Sequence, residues 1–284
     1  MGKSVTNGKQ LNRSRARGGR SWSFNVGAVL TILTLALIVT GFFYTPYDPD
    51  AMQGSRKFLA PSLAHLMGTD NFGRDLFSRV LRGAGTSLII ALATVAVSAL
   101  IGILVGALTS YIGGAFDEVV MRINDGIASF PSVLLAMVLI SVMGTGKYKI
   151  MAALIIVFIP SFARVARSEF LKYKDMDFAL SARLMGVSHA RILFAHILPN
   201  CLPVLFSSMT IGFNNAVLAE AGMSYLGLGV QPPDASLGRM LAEGQTYITS
   251  SPWCVLGPGL FMIVMVLGVG LLGDGLNERM GGAR

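Results

Sequence analysis

The residues that could do chemistry are few, and their spacing removes most options. The chain of 284 residues has three histidines, His65, His189 and His196. His189 and His196 lie seven apart with no carboxylate or thiol between them, so the close ligand spacing of a transition-metal site is absent. Gly144-Thr-Gly-Lys147 looks like the end of a phosphate-binding loop. That loop needs a glycine five residues before the second one and Ser or Thr after the lysine. Ser141 and Tyr148 stand there, so the chain itself is not expected to bind ATP. No Gly-x-Ser-x-Gly elbow marks a serine nucleophile. Asp125 and Asp274 fall near the ends of long apolar runs, where interface anchoring or helix-end pairing is the natural role. No pair of acids is expected in mid-span, and intramembrane carboxylates are what a proton-coupled carrier requires. Cys201 and Cys254 start different spans on opposite sides, too far apart for a disulfide, and read as packing residues.

What remains is 178–199, FALSARLMGVSHARILFAHILP, a polar and basic stretch caught between long apolar runs. Ser181 and Ala182 allow close backbone approach. Gly186 permits a sharp bend between two short helices. Arg183 and Arg191 can pair with an acidic partner, and Leu198-Pro199 opens the next apolar run. A chain that only crossed a bilayer would not need a shaped surface here, whereas one gripped by a soluble partner would. On the residues alone, an ordinary amphipathic surface helix stays open.

The elements that must position this stretch are membrane spans. The composition is 53% hydrophobic and 13% charged, about half the charge of a soluble domain. Charge-free runs cover 24–47, 83–116, 126–146, 197–219 and 244–273, with a shorter one at 150–163 that extends if Arg164 snorkels. Runs of roughly 18 or more apolar residues read as spanning helices, which predicts an all-α polytopic membrane protein of six spans. The segments are a basic, irregular tail at 1–23, a first transmembrane helix at 24–46 and an extracytoplasmic loop at 47–85. A transmembrane core at 86–280 follows, with a cytosolic loop at 168–196. The second span is expected at about 86–110, after a short surface helix ending near Arg79; the third contains Pro131, and the fifth ends near Ala219. Gly102-Ile-Leu-Val-Gly106 offers a small-residue face for helix packing. The tail carries Lys3, Lys9, Arg13, Arg15, Arg17 and Arg20 with no acid. By the positive-inside rule it is cytoplasmic, and six spans return the C-terminus to the same side of the cell membrane. The net charge of +8 is then a matter of topology and of attraction to lipid head groups, and no nucleic acid is implied.

A chain with no power source, no mid-span ionisable site and a structured cytosolic segment would need energy from elsewhere to transport anything. Residues 178–199 resemble the cytosolic "EAA" loop of ABC-importer permeases: Glu-Ala-Ala, three residues, Gly, nine residues, Ile, one residue, Leu-Pro. Ala182, Gly186, Leu198 and Pro199 match; Leu180, Ser181 and His196 replace the Glu, an Ala and the Ile. The dipeptide/oligopeptide/nickel branch is the closest in form. Further matches to it are Gly68-Thr-Asp with Gly73-Arg-Asp75, Phe116-Asp-Glu118, Phe130-Pro131, Met223-Ser-Tyr-Leu-Gly-Leu-Gly229, Gly238-Arg-Met-Leu-Ala-Glu-Gly244 and Leu272-Gly-Asp-Gly-Leu276. The chain is similar to the second, C-type permease of such importers over about 25–280.

That resemblance implies the ABC type I importer permease fold and a non-catalytic subunit forming half of a translocation pathway for peptides or nickel and metal-chelate complexes. The implied partners are a homologous second permease, two ABC ATPases that hydrolyse ATP with Mg, an extracytoplasmic substrate-binding protein and membrane lipids. The chain itself would bind no cofactor. The implied ATPase-coupling loop comprises Phe178, Ser181, Ala182, Arg183, Gly186, Val187, Ser188, Arg191, Leu198 and Pro199. With the resemblance set aside, a stand-alone six-span channel or secondary carrier is the alternative.

Overall fold

The computed structural model describes residues 5–281, with side chains described for 22–279. Ten α-helices occur among the described residues, and the only β pairing there is an isolated bridge between Thr69 and Asp75. Helix α1 covers Val5–Phe43 and α2 Leu76–Ile112; α3 (Gly114–Ala128) and α4 (Ser132–Met143) follow, then α5 (Lys147–Tyr173) and the short α6 (Asp177–Leu184). Helix α7 (His189–Arg191) continues through a π-helical turn, Ile192–Ile197, into α8 (Leu198–Tyr225). The chain closes with α9 (Leu237–Gly244) and α10 (Trp253–Gly281).

Among the described residues, five helical segments are long and apolar enough to cross a membrane, within α1, α2, α5, α7–α8 and α10. Where the third span is expected, α3 and α4 meet at a bend of 88°, and only the two together are long and apolar enough to cross. Pro131 explains the break, because proline pushes the residue before it out of helical geometry and here precedes α4 in extended conformation at ψ 127°.

Two expected boundaries move. Helix α2 starts at Leu76 rather than near residue 86, so no separate surface helix precedes it. The cause is Asp75, whose carboxylate accepts the Ser78 backbone N–H at 2.8 Å and the Ser78 hydroxyl at 2.7 Å, a cap that fixes the helix start. Residues 5–23, read as an irregular tail, extend α1; residues 1–4 of that tail lie outside the described residues.

Helix α2 is the centre of the bundle. It packs most extensively along α5 and also against α8 and α1, while α1 lies along α10. Between helices in lipid there is no hydrophobic driving force, so association rests on close packing. The Gly102–Gly106 face supplies it against α5. A methyl at Gly102 would sit 2.6 Å from Cβ of Phe162, and one at Gly106 would sit 2.5 Å from the Ala163 carbonyl oxygen.

Residues 44–75 fold back onto one end of this bundle through charges. Arg74 donates to Asp70 at 2.6 Å and to Glu243 of α9 at 3.0 Å. Arg79, on the first turn of α2, is only 1% exposed. Glu243 and Asp50 each lie 3.5 Å from it, which supplies the counter-charge a buried guanidinium requires. His65 pairs with Asp75 at 2.9 Å, and the Trp253 indole N–H reaches the Thr69 carbonyl at 3.3 Å. Of the acids in this segment, Asp70 and Asp50 meet Arg74 and Arg79 by direct contact.

Candidate functional site

The basic segment is a shaped surface built on a small buried base. Helix α6 turns Ala179 and Ala182 inward, 0% and 3% exposed. They pack with Phe170 of α5, Ala107 of α2, and Ile192, Ile197, Cys201 and Leu205, with Val187 and Leu198 against the same cluster. The helix ends in a Schellman motif. The Val187 N–H bonds to the Ala182 carbonyl at 3.1 Å and the Gly186 N–H to the Arg183 carbonyl at 3.0 Å, with Gly186 at φ +78°. That left-handed conformation is why a glycine stands there. Ser188 then precedes α7, its carbonyl accepting the Ile192 N–H at 3.0 Å.

Of the residues singled out above, Ala182, Val187 and Leu198 form this base. Phe178, Ser181, Arg183, Gly186, Ser188, Arg191 and Pro199 are exposed. Arg183 is partly engaged within the chain: its guanidinium lies 5.2 Å from the Tyr111 ring centroid and donates to the Lys174 carbonyl at 3.4 Å. Tyr111 also contacts His189, so the end of α2 braces both arms of the α6–α7 bend. The most outward groups are apolar ones that a charge-based reading passes over. Leu184 is 90% exposed and Met185 75%.

A second feature lies along α4, α5 and α8. These helices enclose an open groove of about 670 Å³ lined by Ser132, Phe158, Ser161, Ser208, Ile211 and Asn215, among others. Among the described residues that line it, none is charged. Ser132, Ser161 and Asn215 are exposed. A lipid-facing helix does not profit from such groups; polar side chains in spans face the bundle interior or a water-filled cavity. Beside it a cavity of about 320 Å³ shares Ser132, Val157 and Ser161 and adds Phe130, Pro160 and Arg164. Pro160 interrupts the hydrogen-bond ladder inside α5, and the Asn124 amide of α3 donates to its carbonyl at 3.2 Å.

One carboxyl group lies inside the helix that forms the fifth span. Glu220, read as the first residue beyond the fifth span, lies within α8 and is 0% exposed. The Ser87 hydroxyl of α2 donates to it at 2.8 Å and the Ser224 hydroxyl at 2.6 Å. Each hydroxyl in turn accepts a backbone N–H, from Leu237 at 3.2 Å and from Val230 at 3.1 Å. The first charged residue after an apolar run is a natural place to end a span in sequence. Ser224, one helical turn along, is the signal that the acid has a partner on the same face.

Among the described residues, no three His, Cys, Asp or Glu side chains are grouped so as to hold a metal ion. At the turn Gly144–Lys147, Gly146 precedes α5 and Lys147 pairs with Asp234 at 2.8 Å.

Three comparisons place this arrangement among known proteins. The profile of a family described as "Binding-protein-dependent transport system inner membrane component" matches residues 98–281. A putative peptide transport system permease protein of Brucella suis is 39% identical over 259 residues, spanning 91% of this chain and 87% of that protein. The dipeptide transport system permease protein DppC of Alkalihalophilus pseudofirmus is 34% identical over 255 residues, 90% of this chain and 82% of that protein. In structure, an inward-facing conformation of the MetNI methionine ABC transporter aligns with TM-score 0.59 at 20% identity, over 72% of this chain and 95% of the matched one. That likeness concerns the fold.

Proposed function

The chain belongs to the family of binding-protein-dependent transport system inner membrane components, and from that premise we propose that it is one of two permeases in an ATP-driven peptide importer. It spans the membrane and forms half of the translocation pathway. The observation that carries the reading is the groove along α4, α5 and α8. It sets exposed hydroxyls and an amide on helices otherwise apolar enough for lipid. Such a surface fits an aqueous path completed by a homologous second permease.

Peptides fit that path better than metal ions. Relatives named for peptide and dipeptide transport align over nine-tenths of the chain. Hydroxyls and a carboxamide match the donors and acceptors of a peptide backbone, whereas a divalent cation stripped of water calls for carboxylate, imidazole or thiolate ligands. Selection would rest mainly with an extracytoplasmic binding protein.

Energy comes from two partner ATPases that hydrolyse ATP with Mg, since Ser141 and Tyr148 stand where a phosphate loop needs Gly and Ser or Thr. The termini and the 168–196 segment face the cytoplasm. Helix α6 and the bend at Gly186 dock in a groove of one ATPase. Each ATPase and the loaded binding protein must bind one conformation of the permeases better than the other, because only differential affinity moves such an equilibrium.

The test is purification from native membranes followed by reconstitution. Recovery of a second permease and ATPases, with ATP-dependent peptide uptake into vesicles, is the expected result. Passage of solute by this chain alone, without ATP, would instead identify a channel or secondary carrier.

A further inference from the structure

We propose that Arg164 is a substrate-contacting residue of this pathway, one that receives the carboxylate of a passing peptide. The inference rests on the importer reading and adds to it a specific charge at a specific depth.

Helix α5 carries two arginines one turn apart, and each faces an aspartate of α3. Arg167 closes on Asp117 with two parallel bonds, Nε to Oδ1 at 2.6 Å and Nη2 to Oδ2 at 2.6 Å. Its fork is matched to that carboxylate. Arg164 meets Asp125 through one bond, Nη2 to Oδ1 at 2.9 Å, with the two side chains 60% and 61% exposed. A guanidinium has five N–H donors in a planar fork, and Arg164 presents the larger part of its fork outward. Exposed single pairs of this kind add little stability, so the contact is easily exchanged for another.

What Arg164 faces is the path. It lines the 320 Å³ cavity together with Ser161, which lies three residues earlier on the same face of α5. That cavity adjoins the uncharged groove and shares Ser161, Ser132 and Val157 with it. A peptide crossing the groove finds hydroxyl and amide partners for its backbone, and its carboxylate has no cationic partner there. The first guanidinium it reaches is Arg164, which binds carboxylates in two-bond geometry. Asp125 is released by the exchange. A contact made by exchange holds the solute weakly, and passage requires sites that release as readily as they bind.

Holding α3 against α5 does not call for Arg164. The Arg167–Asp117 pair and the Asn124 bond to the Pro160 carbonyl already join those helices.

The experiment compares Arg164→Gln, Arg164→Lys and Asp125→Asn in the full reconstituted complex. The readout is ATP-driven uptake of a radiolabelled zwitterionic dipeptide, normalised to assembled complex. Losing a charge-assisted contact in the path lowers uptake about tenfold for Arg164→Gln. Arg164→Lys, which keeps the charge, recovers most of it. Asp125→Asn, which frees the guanidinium, stays within about twofold of wild type. Equal losses in Arg164→Gln and Asp125→Asn would show a structural clamp and overturn the proposal, as would wild-type uptake by Arg164→Gln. Should the glutamine variant not assemble, the Lys and Asn variants still decide, since a clamp requires the aspartate as much as the arginine. Failure of the wild-type complex to take up any peptide with ATP would count against the importer reading instead.

Discussion

The carboxyl of Glu220 and the hydroxyl of Ser87 join α8 to α2 by a bond of 2.8 Å at a position with no solvent exposure. Ser224 occupies the other carboxyl oxygen, and both serines pass the connection to backbone N–H groups of Val230 and Leu237. One side chain therefore anchors the segment between α8 and α9. Replacing Glu220 by Leu leaves two buried hydroxyls short of a partner, at about 1–3 kcal/mol for each such group. Glu220→Leu is expected to lower the melting temperature of the detergent-purified protein clearly. Glu220→Gln, which keeps the shape and one carbonyl acceptor, should lower it less. Equal melting of all three proteins would show that the node carries no weight.

The α2–α5 interface leads to a second expectation. A side chain at Gly106 meets the backbone of α5 at Ala163 and Arg167, and backbone cannot rotate away as a side-chain end can. Gly106→Leu forces the helices apart and costs at least the ~1–3 kcal/mol of an overpacked core. Fluorescence-detected size exclusion should show loss of the monodisperse peak. Gly126→Leu, at a position where an added Cβ meets nothing within 4 Å, should keep it.

These contacts mark how far the sequence could be read. Long apolar runs made the spans legible, because a bilayer imposes length and composition on any helix that crosses it. Pro131 was visible, but its effect was not: a proline kinks some spans and divides others, and the outcome depends on what packs around α3 and α4. The start of α2 depended on Asp75 reaching Ser78, a local bond that joins to α2 what the charge pattern marks off as a separate surface helix. Glu220 was lost for the same reason, since a charge at the end of an apolar run reads as the edge of a span until its partners on other helices are known. In the basic segment, Gly186 announced a bend from sequence. The exposure of Leu184 and Met185 depended on which face Ala179 and Ala182 bury.

The bend itself yields a third expectation. An added Cβ at Gly186 meets nothing within 4 Å, yet the residue sits at φ +78°. Gly186→Ala thus pays only for left-handed backbone, about 1–2 kcal/mol, and should insert, fold and pull down the ATPases with moderate loss. Gly186→Arg adds bulk and charge at the same exposed point. It should still insert and run as a folded protein, but fail to co-purify with the ATPases and fail to transport. Transport at the wild-type level by Gly186→Arg would sink the assignment of this bend as the coupling site.

The chemistry of that contact can be tested at its most exposed apolar groups. In place of the family's loop glutamate stands Leu180, and Arg183 is drawn onto Tyr111 and the Lys174 carbonyl. An ionic grip on the ATPase is therefore weakened on both counts. Leu184 and Met185 protrude instead, with 90% and 75% of their surface open, and exposed apolar side chains of this size adjoining a shaped turn fit a protein contact. Substituting Asp for either removes little packing inside the chain, so thermal stability of the isolated subunit should hold. Binding to the ATPases should fall sharply with Leu184→Asp and Met185→Asp, and only slightly with Arg191→Gln. If high salt strips the ATPases from the wild-type complex while both Asp variants still bind, the contact is ionic and the apolar assignment is wrong.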